Sequence, residues 1–402
     1  MTKNNSPIVL AFSGGLDTSF CVPWLTETHQ RPVVTATINT GGLTTADAAA
    51  LEKRARSLGA VDHILIEARD EFFNNVLKYL VMGNVRRGQL YPLCVGAERG
   101  IQAKCLADLA KKLGSGTVAH GCTAAGNDQV RFEIVLKTLA PKLEVLAPVR
   151  DNAWARDDQL DYLKSHQLPG PLTGSSYSIN RGLWGVTIGG TETLSSAASI
   201  PESAWVLSAG ALDTPTPQEE LTIEFLCGIP TSLNGKESGP VELIEKLETI
   251  GSRFGIGRGI HLGDTILGTK GRVAFEAPSA EILLTCHREL EKLTLSALQQ
   301  RIKDQVSQAY GDFIHEGKQL DPVCRDIEAL LESSQTQVTG LAHCLLRPGH
   351  LFVTGVESPY SLMAASRGQY GESAGEWTAS DAVGFSRVLA LPGMLYARAQ
   401  GK

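Results

Sequence analysis

The sequence predicts an α/β protein: a parallel-sheet domain, then an α+β domain, then a C-terminal helical arm. Over the first 150 residues, short apolar runs typical of strands alternate with helical patterns, as in a parallel sheet covered on both faces. From Leu168 the pattern changes, because Pro169-Gly170-Pro171 interrupts it and strand-like runs become frequent. An apolar helical stretch then precedes Pro392-Gly393 near the end of the chain. We therefore predict three units: residues 1–167, 168–365 and 366–402.

In the first unit, five strand-like runs are separated by helical patterns. The predicted strands are 8–12, 33–38, 62–66, 117–120 and 144–148, and the predicted helices are 20–27, 46–58, 72–81 and 97–113. Ligands of such sheets bind outside the carboxyl ends of the strands. The loops 13–19, 39–42 and 121–126 are therefore expected to share one crevice.

The second unit mixes helices with strands that follow one another directly. A strand is predicted at 220–228 and a hairpin at 336–346 and 350–356, with helices at 241–254, 280–293 and 296–310. Ser279 is the predicted N-cap of the second of these helices. The last helix, 382–391, is more apolar than an isolated terminal helix needs to be, so we expect it to dock onto another subunit.

Composition is that of a soluble globular protein, with 402 residues, 43% hydrophobic and 20% charged. The formal charge of −6 argues against a general nucleic-acid binder, which usually has a basic face. No apolar run approaches the length of a membrane span, and the first residues lead directly into a strand, so we expect a cytoplasmic protein with no signal peptide. The eight cysteines form no Cys-x-x-Cys pair, and no residue cluster predicts a protein-held metal.

The most informative segment is 8–19, in which an apolar strand runs into Ser13-Gly14-Gly15-Leu16-Asp17-Thr18-Ser19 and then a helix. Two glycines let the backbone approach a phosphate closely, and the amides at a helix N-terminus favour an anion. The string lacks the lysine of the Gly-x-x-x-x-Gly-Lys-Ser/Thr loop and the Gly-x-Gly-x-x-Gly of dinucleotide folds. The alternative is an ordinary strand-to-helix turn with two glycines.

A second segment, 119–133, also follows a strand and opens a helix. Asn127 is the predicted N-cap of that helix. The spacing of Asn127, Asp128 and Arg131 places their polar groups on one helix face. The alternative is a capped helix that carries a local Asp–Arg ion pair.

The loop at 13–19 resembles the Ser-Gly-Gly-x-Asp-Ser/Thr pyrophosphate loop of enzymes that cleave ATP between its α- and β-phosphates. Together with 119–133, it makes the chain resemble the argininosuccinate synthase family. The resemblance keeps the family's order over most of the chain. Its pieces are Phe12–Ser19, Tyr91-Pro92-Leu93, Ala119–Glu133, Tyr177-Ser178-Ile179, Leu183-Trp184-Gly185, Val241–Ile244, His287–Glu291 and Ser358–Leu362.

The resemblance implies an adenine nucleotide alpha-hydrolase-like domain, a synthetase domain and a ligase reaction of arginine biosynthesis. ATP, with Mg²⁺ on its phosphates, would adenylate the ureido oxygen of L-citrulline. The amine of L-aspartate would then displace AMP to give argininosuccinate. The family also implies a homotetramer whose C-terminal arms embrace neighbouring subunits, with no nucleic-acid or membrane partner.

The resemblance also implies site residues. ATP would be held by Ala11, Phe12, Ser13, Gly14, Gly15, Leu16, Asp17, Thr18, Ser19, Ile38 and Gly121. Aspartate and citrulline would be held by Tyr91, Thr123, Asn127, Asp128, Arg131, Ser178 and Thr187. No nucleophile is predicted, and catalysis would rest on positioning and charge stabilisation by Ser13, Asp17 and Arg131.

Several positions depart from the family pattern, and they cluster around citrulline. A hydroxyl residue of the family aligns with Gly96, a glutamate with Gly263, a tyrosine with Phe275, two acids with Asn39 and Asn180, and a glutamine with Gly42. One explanation is that Asp264 or Glu276 replaces the lost contacts in a divergent argininosuccinate synthase. The alternative is a related aspartate ligase that acts on a modified citrulline.

Two rival functions use a similar loop. A tRNA-modifying enzyme would need cysteine pairs and a basic RNA face, and neither is present in the sequence. A non-catalytic nucleotide sensor would have no use for the group formed by Thr123, Asn127, Asp128 and Arg131.

Overall fold

A computed structural model describes residues 6–170, 177–366 and 375–401. Its N-terminal half contains the predicted parallel sheet. The strands are β1 (Ile8–Ala11), β2 (Val33–Asn39), β3 (Asp62–Glu67), β4 (Thr117–Ala119) and β5 (Glu144–Leu146). They lie in the order β3-β2-β1-β4-β5, and every neighbouring pair is parallel. The central strand β1 is buried on both faces, as its unbroken apolar run predicts.

Helices connect these strands, with two local differences from the prediction. They are α1 (Leu16–His29), α2 (Thr45–Ser57), α3 (Arg69–Phe72), α4 (Lys78–Met82), α5 (Arg99–Lys112), α6 (Asn127–Leu139), α7 (Pro148–Asp151) and α8 (Arg156–Ser165). The helix predicted at 72–81 is divided by a π-turn at Phe73–Leu77. The helix predicted from residue 97 begins instead with a 3₁₀ turn at Gly96–Glu98, which brings Glu98 into the interior.

The C-terminal half contains two antiparallel sheets. One is formed by β6 (Ser178–Gly182), β7 (Gly185–Gly189), β11 (Arg258–Asp264) and β12 (Lys270–Glu276), in the order β11-β12-β7-β6. The other is formed by β8 (Glu219–Leu226), β9 (Ile229–Leu233), β10 (Lys236–Glu237), β13 (Gly340–Arg347) and β14 (His350–Glu357), in the order β10-β9-β8-β13-β14. The predicted hairpin is therefore confirmed as β13 and β14.

The C-terminal helices correct two sequence predictions. They are α9 (Pro240–Ser252), α10 (Pro278–Thr294), α11 (Ala297–His315), α12 (Pro322–Ser334), α13 (Leu362–Ala365) and α14 (Ala379–Ala399). Ser279 is not an N-cap, because Pro278 takes the first helical position and places Ser279 inside the first turn, fully buried. The last helix does not stop before Pro392 but continues through it to Ala399.

The largest apolar core joins both halves of the chain. It runs from Phe72 and Leu77 on the N-terminal side to Phe225 and Leu283 on the C-terminal side. Trp184, the largest fully buried side chain, donates from Nε1 to the carbonyl of Pro92 at 3.0 Å. This core fixes the segment that follows Pro92 against the antiparallel sheet. No helix within the described ranges is long and apolar enough to cross a membrane.

Candidate active site

A cleft of about 730 Å³ lies at the carboxyl edge of the parallel sheet. The sheet of β6, β7, β11 and β12 also lines this cleft. The loops that follow β1, β2 and β4 all line this cleft, which confirms that they share one crevice. The opposite wall is formed by side chains of the antiparallel sheet, among them Ser178 and Thr187. The site is therefore assembled from both halves of the chain.

The loop after β1 has the geometry of an anion site. Gly14 has φ of +73°, a conformation that favours glycine, and Gly15 is the extended N-cap residue of α1. In the part of the chain that the structure describes, no side chain caps α1, so its first amides are open toward the cleft. The hydroxyls of Ser13 and Thr18 lie 3.2 Å apart beside them.

Eight of the eleven predicted ATP residues line the cleft: Ala11, Phe12, Ser13, Gly15, Asp17, Thr18, Ile38 and Gly121. The other three do not. Leu16 is buried in the core, and Gly14 and Ser19 support the loop from behind. Ser19 Oγ donates to the carbonyl of Gly14 at 3.3 Å and accepts from Arg54 Nε at 2.9 Å.

Gly121 closes the cleft against the N-terminus of α1. A β-carbon at this position would lie 3.1 Å from the backbone carbon of Asp17 and the backbone nitrogen of Thr18. A larger residue would push the loop after β4 away from the helix amides. Asp17 itself has a raised pKa because it is partly buried, although a hydrogen bond from Gln159 and the charge of Arg156 oppose this.

On α6, the predicted polar face forms a partly buried charge cluster. Asp128 accepts from Arg99 Nε at 2.9 Å and from Arg131 Nη1 at 2.7 Å. Burial alone would raise the pKa of Asp128, but the two positive charges and their hydrogen bonds hold it at about 2. The predicted Asp–Arg ion pair is thus present, and Arg99 makes it a triad. Arg131 is fixed further by donating from Nε to the carbonyl of His315 at 2.7 Å.

Asn127 lies in the cleft but is not the N-cap of α6. The cap position is Gly126, and Asn127 is the first helical residue. Its side-chain oxygen instead accepts from the backbone nitrogen of Ile266 at 2.9 Å, in the loop between β11 and β12. This contact leaves the amide NH₂ of Asn127 to donate into the cleft, beside the exposed hydroxyl of Thr123.

Glu98 is a cleft residue that sequence reasoning missed. It is 2% exposed, accepts from Thr40 Oγ1 at 2.9 Å and pairs with Arg99 at 2.9 Å. Burial raises the pKa of Glu98 to about 7, although the charge of Arg99 opposes the shift. The only sequence signal was an acid at the start of a predicted helix, which is an ordinary surface pattern.

The antiparallel wall carries the predicted citrulline residues. Ser178 and Thr187 lie on the paired strands β6 and β7, and Thr187 also faces Phe275 on β12. Tyr91 reaches the same region, with its ring stacked on His261 at 5.5 Å and against Phe275 at 5.1 Å. All seven predicted substrate residues therefore line one cleft.

Comparison with known proteins gives the same family over the whole length. A model described as the arginosuccinate synthase N-terminal HUP domain matches residues 7–169, and one described as the arginosuccinate synthase C-terminal domain matches residues 177–396. The chain is 35% identical over 392 residues to an argininosuccinate synthase of Brevibacillus brevis, covering 97% of this chain and 93% of that protein. It is 36% identical over 403 residues to that of Lactiplantibacillus plantarum, covering 100% and 97%. A Symbiobacterium thermophilum argininosuccinate synthase is 35% identical over 98% of both chains.

The chain belongs to the argininosuccinate synthase family. The five-stranded parallel sheet is accordingly the HUP domain of this family, and the antiparallel sheets and terminal helix form its C-terminal part. Membership supports a carbon–nitrogen ligase that uses ATP.

At the three glycines that depart from the family pattern, Gly96, Gly263 and Gly42, an arginine side chain lies in the space beside the glycine. A β-carbon on Gly96 would lie 3.1 Å from Arg131 Nη2, and one on Gly263 would lie 3.0 Å from Arg87 Nη1. At Gly42, which has φ of +73°, it would lie 2.6 Å from Arg181 Cγ. Of the remaining positions, Asn180 accepts from Arg99 Nη2 at 3.4 Å, and Asn39 donates to Glu67 Oε2 at 2.8 Å.

Only one of the two acids proposed as replacements reaches the cleft. Asp264 lines its edge, where it is exposed and paired with Lys270 at 2.5 Å. The proposal for Glu276 is wrong. Glu276 is fully buried away from the cleft, where its carboxylate accepts from the backbone nitrogens of Val206 at 2.6 Å and Leu207 at 2.9 Å.

Thiol chemistry finds little support in the cleft. Cys122 lines it, but burial raises the pKa of its thiol to about 12, so the thiol stays protonated. Cys21 is buried in the core behind the phosphate loop. Among residues 6–170, 177–366 and 375–401, no group of three or more His, Cys, Asp and Glu side chains could hold a metal ion.

Proposed function

We propose that this protein is an argininosuccinate synthase, which joins L-citrulline to L-aspartate at the expense of ATP. The ureido oxygen of citrulline attacks the α-phosphorus of ATP, and pyrophosphate leaves. The amine of aspartate then attacks the ureido carbon of the citrullyl-adenylate, and AMP leaves with that oxygen. One observation carries the proposal: the phosphate loop, the Asp128 triad and the predicted citrulline residues line one cleft.

The phosphate loop supports the ATP part of this proposal. The open amides of α1 and the hydroxyls of Ser13 and Thr18 would hold the pyrophosphate, with Ile38 against the adenine. Mg²⁺ would accompany the phosphates as part of the nucleotide substrate. Gly121 would keep the opposite loop close enough for these contacts.

The charge cluster supports the two amino-acid substrates. Thr123 and the amide of Asn127 would donate to a carboxylate of aspartate, and the ionised Asp128 would accept from its ammonium group. Arg131 would stabilise negative charge on the adenylate phosphate and orient the ureido group. Because Asp128 fixes both Arg99 and Arg131, these roles depend on one another.

The names of the relatives favour citrulline itself over a modified acceptor, since the chain matches argininosuccinate synthases over nearly its full length. The assay that tests the proposal uses purified protein, ATP, Mg²⁺, citrulline and aspartate. We expect AMP, pyrophosphate and argininosuccinate in equal amounts. Without aspartate, we expect no steady-state formation of AMP. AMP formation independent of citrulline would contradict the proposal.

We also propose a cytoplasmic homotetramer. Helix α14 exposes a continuous apolar surface, with Phe385 67%, Leu389 67% and Tyr396 69% exposed, and burying such a surface favours association. Light scattering should give a mass four times that of the 43.0 kDa chain, and deletion of residues 375–402 should lower it. Cell fractionation tests the location.

A further inference from the structure

The end of the cleft around Gly263 is lined by a cluster of basic side chains. Arg87, His261 and His315, which we call the Arg87 cluster, all line the cleft there. Arg87 Nη1 lies 3.5 Å from His261 Nε2, and His315 lies between this pair and Arg131. A β-carbon on Gly263 would be 2.5 Å from His261 Nε2, so the absence of a side chain leaves these nitrogens uncovered.

Arg87 is held rigidly at this position. Its backbone nitrogen donates to the carbonyl of Tyr91 at 2.7 Å, and the nitrogen of Tyr91 donates back at 3.0 Å. Arg87 Nε is buried and makes no hydrogen bond within the described residues. The nearest carboxylate, Asp312, is 59% exposed and lies 3.5 Å from Nε. The backbone of Arg87 is therefore fixed, and its guanidinium is an only partly neutralised cation at the cleft.

His261 Nε2 faces the Arg87 guanidinium and so acts as an acceptor, whereas His315 adds a hydrogen-bond donor but no charge. The guanidinium of Arg131 can only donate, so His315 Nδ1 accepts from it at 3.1 Å and the ring proton lies on Nε2. That Nε2 is buried and forms no hydrogen bond of normal geometry in the described structure, although the carbonyl of Asp264 lies near the ring. Burial and the neighbouring arginines lower the pKa of His315 to about 3, which keeps it neutral.

A site made of one partly neutralised guanidinium and a neighbouring imidazole N–H matches a carboxylate. An arginine fork binds a carboxylate through two parallel hydrogen bonds, and a buried donor without a partner costs free energy until it is paired. An ammonium group would be repelled here, because the nearby acids Asp264 and Asp312 are both exposed and already lie beside cations.

We propose that Arg87 and His315 bind the α-carboxylate of the citrulline-type acceptor and that this contact, rather than recognition of its ammonium group, determines acceptor specificity. The proposal rests on the proposed function. It assigns a specificity role to residues that the sequence did not single out, and it explains how the cleft can carry glycine at residue 263.

The first test compares Arg87→Met and Arg87→Lys with the wild type. Arg87→Met keeps an unbranched apolar stem and removes the guanidinium, and we expect KM for citrulline to rise about tenfold to a hundredfold while KM for ATP and aspartate stays within about twofold. Arg87→Lys should recover part of the loss. Arg56→Met, an exposed helix position 49% exposed, is the matched control. Circular dichroism and ATP binding show whether each variant is folded.

The second test uses acceptors that lack one group. 5-Ureidopentanoate lacks the ammonium group of citrulline, and (4-aminobutyl)urea lacks its carboxylate. The wild type should use the first within about tenfold of citrulline and the second at least about a hundredfold less well, and Arg87→Met should remove most of this difference. An unchanged citrulline KM in folded Arg87→Met, or equal use of (4-aminobutyl)urea, would overturn the inference. A wild type that forms no AMP with citrulline and aspartate would instead overturn the proposed function.

Discussion

The two ends of the cleft are built in different ways. The phosphate end comes from two short segments, 13–19 and 121–128, in which neighbours in sequence are also neighbours in space. The acceptor end draws single side chains from β6, β7, β11, β12, the end of α11 and the segment around Arg87. At the phosphate end the family pattern is intact. At the acceptor end several expected polar side chains are glycines that lie against arginines.

The two ends therefore differ in what a substitution would disturb. Phosphate binding by helix amides needs a fixed backbone path, so one substitution would disturb several contacts at once. Acceptor binding depends on side chains from independent elements, so a lost acid can be accompanied by a change on a neighbouring strand or loop. Asp128 lies where the two ends meet, because it holds Arg99 and Arg131 together.

Replacing Asp128 should give the largest loss of activity, because it should impair both ends of the cleft. Asp128→Asn keeps the shape but leaves Arg99 and Arg131 without their shared carboxylate, so we predict at least about a thousandfold loss of kcat/KM for ATP, aspartate and citrulline alike. Steady-state AMP formation measures it. Asp108→Asn, which removes an exposed ion pair to Lys104, is the control and should have little effect. A loss confined to one substrate would mean that the two ends are independent.

Gly121→Ala tests the phosphate end alone. The added methyl group would lie 3.1 Å from the backbone of Asp17 and Thr18, so the loop must move and the ATP contacts must lengthen. We predict about a hundredfold loss of kcat/KM for ATP with KM for citrulline little changed. Gly116→Ala, whose β-carbon would meet nothing within 4 Å, is the matched control. Equal activities of the two variants would show that the close approach at Gly121 is dispensable.

Gly96→Ser restores the hydroxyl that the family pattern expects, but it should not improve citrulline binding. Its β-carbon would lie 3.1 Å from Arg131 Nη2, so the guanidinium must shift away from its place beside Asp128. We predict about a tenfold increase in KM for citrulline, measured with saturating ATP and aspartate. Gly239→Ser, at an open N-cap position, serves as the control. A lower KM for citrulline would show that Gly96 merely lacks a contact that the serine hydroxyl supplies.

Glu98→Gln should have the smallest effect on activity but a clear effect on stability. The pKa of Glu98 is raised to about 7 from an ordinary value of 4.5, so the folded protein holds a proton that the unfolded chain releases. Stability from this group is therefore fully present below about pH 4.5 and is lost as pH rises through about 7. Urea unfolding from about pH 5 to about pH 8 should show the wild type losing about 1–3 kcal/mol relative to the variant. If the free energies of unfolding of the wild type and of Glu98→Gln changed in parallel with pH, this prediction would be contradicted.

The sequence predicted the strand, loop and helix around residues 13–19 and the place of this loop in the cleft, because these elements follow one another along the chain. It also predicted the order of most helices and strands. It did not predict Glu98, Arg87 or His315, since nothing local distinguishes them from surface charges or a packed histidine. Their roles depend on how a 3₁₀ turn, a tight loop and a helix end meet in the folded chain. The same long-range packing explains why Glu276 was wrongly placed beside the acceptor.

The most direct test of the account follows one oxygen atom. If the ureido oxygen attacks ATP and aspartate then displaces AMP, citrulline labelled with ¹⁸O in its ureido group must transfer that oxygen to the phosphate of AMP. Mass spectrometry of the products should find one labelled oxygen in each AMP, none in pyrophosphate and none in argininosuccinate. Unlabelled AMP formed together with argininosuccinate would contradict the adenylate mechanism proposed for this cleft.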